Sequence, residues 1–159
     1  MAKQTKTNAL RLLDKAGIDY RTHQYNFDEN DLAAIHVAEE LGQDIARVFK
    51  TLVLRGERTG LFVCVIPGDK EVDLKKAACA AGDKKADLIP MKELLPTTGY
   101  IRGGCSPIGM KKPLPTFYHS TATGFDTIYV SAGMRGLQVE IAPQTLIEFT
   151  HGSTADLVK

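Results

Sequence analysis

The sequence contains no tryptophan, and its three cysteines, Cys64, Cys79 and Cys105, are widely spaced and form no Cys-x-x-Cys pair. An odd count with such spacing indicates neither a disulfide framework nor a zinc site. Long apolar runs are also missing: none approaches the ~20 residues that cross a bilayer, so no membrane contact is expected. Met1-Ala-Lys-Gln-Thr-Lys6 is followed by no apolar segment, so no signal peptide is expected and the chain reads as cytoplasmic. An excess of one charge is absent too, because Lys+Arg 20 against Asp+Glu 19 leaves a net charge of +1. That balance argues against a protein gripping nucleic acid through a broad positive field, but is compatible with a nucleic-acid substrate held at one end. His23, His36, His119 and His151 share no metal-ligand spacing, and no His-Glu-x-x-His, Gly-x-Gly-x-x-Gly, Walker loop or Gly-x-Ser-x-Gly elbow occurs. No metal and no cofactor is expected.

What is present reads as one domain over residues 1–159. Helical spacing over 7–16 has Thr7 as N-cap and Gly17 as stop, and 18–25 alternates like a strand. Asp31 is expected to cap a helix over 32–41, closed by Gly42. Two strands, 47–55 and 61–67, form a hairpin across Gly56-Glu-Arg-Thr-Gly60. Asp73 caps a third helix through Ala81, and Pro90 opens a short fourth helix ending before Pro96. Residues 98–115 are a Gly/Pro-rich loop, a type often functional in small domains. Strands at 116–119, 127–131 and 137–141 precede a last helix from Pro143 through Thr150. Helices and strands interleave with hairpins, which predicts an α/β fold with a mixed sheet or barrel flanked by helices.

Lys50 is the most informative residue. Period-two alternation puts it with Val48, Leu52 and Leu54, opposite Phe49, Thr51 and Val53, so it sits on a strand with two apolar faces. An ammonium there is costly unless it is paired or lines a polar cavity; a lysine snorkelling to water fits the pattern equally well. The loops containing Gly103-Gly104-Cys105-Ser106 and Ser131-Ala-Gly133 allow close backbone approach to a ligand, or are ordinary turns. Cys64 and Cys79 read as small buried hydrophobes. Cys105 with a remote histidine is a weaker alternative as a thiol nucleophile. Lysine pairs at Lys75-Lys76, Lys84-Lys85 and Lys111-Lys112, with Arg102 and Arg135 beside the glycine loops, read as solvated faces or as contacts to a phosphate backbone.

Four stretches in order, Phe49-Lys-Thr-Leu52, Gly99-Tyr100 with Gly103-Gly-Cys-Ser-Pro-Ile-Gly109, Lys111-Lys-Pro-Leu-Pro-Thr116 and Ile128-Tyr-Val-Ser-Ala-Gly-Met-Arg-Gly-Leu137, resemble the YbaK/EbsC-type Cys-tRNA(Pro) deacylases. These are free-standing relatives of the editing insertion of prolyl-tRNA synthetase, and the resemblance runs from about Leu10 to the last helix. It implies a mixed β-barrel-like sheet surrounded by helices, and removal of a wrong amino acid from the 3′ end of tRNA. The family lysine corresponds to Lys50, expected to be catalytic. Thr51, Gly103 and Ser131 match pocket positions and Tyr25 an aromatic at the mouth, while Gly104, Cys105, Ser106 and Gln138 are further expected binding residues. Two departures stand out: Ala33 falls near an aromatic, and Gln138 replaces an acid, of some members.

The resemblance implies aminoacyl-tRNA as substrate, held by its acceptor end, and prolyl-tRNA synthetase as a partner. It also implies that the cysteine thiol of the substrate attacks its own ester, with Lys50 orienting the end or stabilising charge. The rivals are a deacylase for another small residue such as alanine, and a non-catalytic module binding aminoacyl-tRNA or a synthetase.

Overall fold

The side chain of Thr7 accepts a hydrogen bond from the backbone N–H of Leu10 at 3.2 Å, which starts the first helix, α1 (Asn8–Lys15). The computed structural model describes residues 6–159, so most of the stretch read for a leader lies outside the described residues. Helix α1 buries Ala9, Leu10 and Leu13 against the main core, and each leucine contributes about 2 kcal/mol by area. Strand β1 (Arg21–Gln24) follows, then α2 (Ala34–Leu41), which begins later than the sequence suggested. Ala33 occupies its N-cap with no side-chain bond, and Asp31 instead turns back so that its N–H donates to the carbonyl of Asp28 at 2.9 Å. That bond closes a backbone turn ahead of the helix, and the Asp31 carboxylate lies 3.7 Å from His36 Nδ1.

The hairpin is β2 (Phe49–Gly56) and β3 (Gly60–Pro67), with Arg47 ending a 3-10 turn just ahead of it. Asp73 caps α3 (Leu74–Ala80) by accepting from the N–H groups of Lys75 and Lys76. Cys79 on this helix is exposed, which corrects its reading as a buried hydrophobe: Ala77 and Ala78 are the residues that α3 turns inward. Strand β4 (Ala86–Leu88) was not expected; it pairs with Leu54–Gly56. A 3-10 turn (Met91–Glu93) leads into α4 (Leu94–Thr98), which contains Pro96 rather than ending before it. Pro96 falls in the first turn, where a backbone N–H has no intrahelical acceptor to lose.

Residues 99–115 carry no helix or strand, as expected. Strands β5 (Thr116–His119), β6 (Ile128–Met134) and β7 (Leu137–Ile141) are followed by α5 (Pro143–Phe149) and a short β8 (Ser153–Ala155). One sheet has the order β1-β7-β6 and the other β4-β2-β3-β5-β8. β5 runs parallel to both β3 and β8, and all other ladder pairs are antiparallel. The sheets meet at an isolated parallel bridge between Val48 and Tyr129, and among the described residues no closed barrel forms.

Strand β2 separates two cores. Phe49 and Val53 pack into the larger one with α1, β6 and β7, whereas Leu54 packs under α3 with Cys64 and Ile66. This is the two-faced apolar strand that its sequence describes.

Candidate active site

The edge of β2 that faces away from β3 is held at both ends and left open between them. Val48 is bridged to β6, Leu54–Gly56 pair with β4, and the N–H of Ile89 donates to the carbonyl of Val53 at 3.1 Å. Along the intervening stretch lies a cavity of about 580 Å³. Side chains from both faces of the strand reach it because it runs along the strand's edge. Lys50, Thr51, Leu52 and Val53 line it, together with Leu32–Ala34 and Val37, Gly68, Leu88–Ile89, Met91, Leu94, Arg102, Gly103, Cys105, Ser131 and Gln138.

Arg47 secures the closed end. Its guanidinium donates to the carbonyl and hydroxyl of Thr127, lies 3.7 Å from Glu140 and stacks over Tyr129. Glu140 also accepts from Thr127 and sits 2.8 Å from His23. This network ties the start of β2 to β6, β7 and β1, so the register of Ser131 opposite Gln138 is fixed where both reach the cavity.

Close packing shapes the opposite wall. A Cβ on Gly68 would stand 2.3 Å from the Cβ of Ala34 and 3.0 Å from the carbonyl of Val48, so only glycine lets α2 approach the strand. Gly103 has φ +84°, and a Cβ there would meet Leu32 at 3.2 Å and the Nε of Arg135 at 3.4 Å. Beneath it the loop is held from inside: Tyr100 donates its hydroxyl to the carbonyl of Ile108, and Ser106 accepts from the N–H of Ile108.

Lys50 is half-buried and makes no hydrogen bond or ion pair among the described residues. Burial lowers its pKa from the ordinary value, partly offset by Asp69 and Glu71. Two other polar atoms are unsatisfied. Thr51 Oγ1 and Gln138 Oε1 are the buried side-chain atoms without a hydrogen-bond partner among the described residues, and both belong to residues lining the cavity. Orphaned acceptors of this kind call for a reason, since most buried polar groups are paired. Ser131 Oγ already accepts from the N–H of Gly133 at 3.1 Å. Burial pushes the Cys105 thiol up to about 12, so it stays protonated, and none of the lining residues is Asp, Glu or His.

Of the nine residues singled out in the sequence, six line the cavity: Lys50, Thr51, Gly103, Cys105, Ser131 and Gln138. Tyr25, Gly104 and Ser106 do not. Tyr25 packs on the cluster of Val37, Ala38, Val48 and Tyr129. Gly104 abuts the backbone of Met134 and Arg135, and Ser106 is fully buried in its own loop. Sequence reasoning missed the apolar wall from Leu88, Ile89, Met91 and Leu94, and also Gly68. The exposed Leu88 and Met91, at 51% and 58%, leave no periodic trace in the sequence.

A family profile described as "Aminoacyl-tRNA editing domain" matches residues 29–149. The chain belongs to this family. The editing domain is 48% identical to a protein of Enterococcus faecalis named "Putative Cys-tRNA(Pro)/Cys-tRNA(Cys) deacylase EbsC", over 97% of this chain and 94% of that one. It is 33% identical to a proline–tRNA ligase of Thermosipho africanus over 48% of this chain and 13% of the ligase. A crystal structure of a "putative trans-editing enzyme for prolyl tRNA synthetase" superimposes with a TM-score of 0.83, covering 98% of this chain and 99% of that one at 22% identity. At that identity the likeness shows the fold. The expected family, the enzyme class of aminoacyl-tRNA deacylase and the mixed α/β fold are borne out. No helix among the described residues is long and apolar enough to cross a membrane.

Proposed function

We propose that this editing domain removes cysteine from mischarged tRNA(Pro), and also from tRNA(Cys), acting in trans on the ester at the 3′ end. The reading rests on the 48% identity to the E. faecalis protein and on the chemistry of the cavity. The observation that carries the mechanism is an unpaired, half-buried Lys50 in a cavity whose lining has no carboxylate or imidazole. Such a site can orient an ester and stabilise negative charge, but has no side chain suited to take a proton from water at neutral pH.

Cysteine resolves this difficulty because it carries its own nucleophile. The substrate sulfur attacks the ester carbonyl, an S–C bond forms, and the bond from carbon to the ribose oxygen breaks. The thiol proton ends on the departing ribose hydroxyl, and the amino acid leaves as a thiolactone. Lys50, which lines the cavity, offsets charge on the carbonyl or ribose oxygen in this reading. Thr51 and Gln138 supply polar groups for the amino-acid end, and the backbone at Gly103 lies open to the nucleoside. The protonated thiol of Cys105 takes no part.

Deacylation of tRNA charged with cysteine, serine and alanine tests the reading. Rapid turnover of the cysteine ester alone, with thiolactone trapped as product, is expected. Equal release of serine would sink the substrate-thiol mechanism, and faster release of alanine would reassign the specificity. Prolyl-tRNA synthetase is the proposed partner that generates the substrate; co-purification with and without tRNA checks that association.

A further inference from the structure

Two arginines come together beside the cavity, the side chain of one on the backbone of the other. Arg102, exposed, lines it from the loop after α4. Arg135 comes from the turn between β6 and β7, and its Nε donates to the backbone carbonyl of Arg102 at 2.8 Å. It lies against Gly103, itself a lining residue. A specific bond from the side chain of Arg135 to the backbone of Arg102 thus joins the two segments beside Gly103.

Neither has a carboxylate partner among the described residues, in contrast to Arg47 with Glu140 and Arg55 with Glu93. The third cation is Lys50, and no lining residue is acidic. Asp69 and Glu71 act on Lys50 from outside the lining. A chain whose net charge is +1 thus has two cations lining one cavity, Lys50 and Arg102, and a third, Arg135, against its lining residue Gly103. Like charges held together repel unless an anion joins them, and arginine's planar fork matches a phosphate in two hydrogen bonds.

We propose that Arg102 and Arg135 clamp the phosphodiester that adjoins the esterified terminal nucleoside of the tRNA. This rests on the deacylase reading above and adds the contact that fixes where the nucleic acid enters. A single gripped phosphate beside the ester also reconciles a nucleic-acid substrate with a near-neutral protein. Recognition is local, so no broad basic face is required.

The test compares cysteinyl-tRNA with 3′-O-cysteinyl-adenosine, which has the ester and nucleoside but no phosphate. For Arg102→Gln, KM on cysteinyl-tRNA is expected to rise about tenfold, as for loss of a charge-assisted hydrogen bond. Its kcat is expected to change less than twofold, and its action on the nucleoside ester to match wild type. The salt dependence of KM for the tRNA should also flatten by about 0.7 in log–log slope, the value for one single-strand phosphate. Arg135→Gln should behave alike, although it also loosens the Gly103 loop, so Arg102→Gln decides. Equal loss on both esters, or no loss on the tRNA, would overturn the clamp. Should wild type cleave neither ester, the deacylase reading fails separately. Titration with the trinucleotide CCA then decides: markedly weaker binding to Arg102→Gln supports the clamp, and equal affinity refutes it.

Discussion

The two ends of strand β2 carry one cation each, and the pair separates a functional position from a structural one. Arg55, near the far end, is exposed and donates to both carboxylate oxygens of Glu93, at 2.9 and 3.4 Å. The turn beyond it is equally well satisfied: Asp83 accepts from the N–H groups of Arg58 and Thr59 and from the Thr59 hydroxyl. At the near end, Lys50 has no partner among the described residues and Thr51 Oγ1 is buried without one. Polar groups there are left unsatisfied although the same strand satisfies them a few residues on. Unmet hydrogen-bonding capacity beside a cavity marks the end that a ligand completes.

The sharpest way to break this comparison is to remove each cation in turn. Lys50→Ala is expected to lower kcat/KM for cysteinyl-tRNA by about 100-fold or more, whereas Arg55→Ala, an exposed pair, should change it less than about twofold. Equal effects in a single-turnover assay would erase the distinction. Next in size is Gly68→Ala, whose Cβ would stand 2.3 Å from that of Ala34. Forcing α2 off the cavity wall should cost about 2–3 kcal/mol, read as a Tm lower by roughly 6 °C or more with a raised KM. Gly124→Ala, with open space around it and no positive φ, is the neutral control.

Thr51→Val should do the reverse at the open end. Deleting an orphaned buried hydroxyl is expected to gain about 1 kcal/mol, a Tm higher by about 2–4 °C, while slowing deacylation. Unchanged activity would show that Thr51 touches nothing in the substrate. The smallest effect belongs to Asp83, whose carboxyl is held well below its ordinary value of 3.8 by the N–H groups of Thr59 and Arg58. Below that pH the unfolded chain binds more protons than the folded one, so the contribution is full above 3.8 and fades as pH falls. Asp83→Asn should therefore melt a little below wild type at neutral pH, and the two melting curves should converge in acid.

Much of the fold was legible where a local rule had no competitor. Thr7 and Asp73 cap their helices, Gly42 closes α2 in the left-handed conformation, and the hairpin of β2 and β3 follows its turn residues. Where two local rules competed, the sequence misled: Asp31 bonds within its own turn instead of capping, and Pro96 is accommodated in a first turn. The short strands β4 and β8 escaped because three residues carry no periodicity, and only their partners make them strands.

The candidate site divides in the same way. Lys50 on a two-faced apolar strand, Gly103 and Cys105 of the glycine loop, and Ser131 were visible as residue types in unusual places, and the structure brings them to one cavity. Tyr25 came from the family pattern, Gly104 and Ser106 from the glycine loop itself, and all three lie outside the lining. Gly68 and the apolar wall had no signal in the sequence, and Arg102 and Arg135 were visible beside the glycine loops but not their contact, because each depends on segments far apart in the chain.

By itself, then, the sequence determined the caps at Thr7 and Asp73, the central hairpin, the family and the lysine that sits at odds with its strand. These depend on side-chain periodicity and on bonds between near neighbours, which are local in the chain. Only the tertiary structure decided that the edge of β2 stays open between β6 and β4, and which groups gather along it. A cavity is the space that packed elements leave between them, so its position and its unmet hydrogen bonds exist only once the chain has folded.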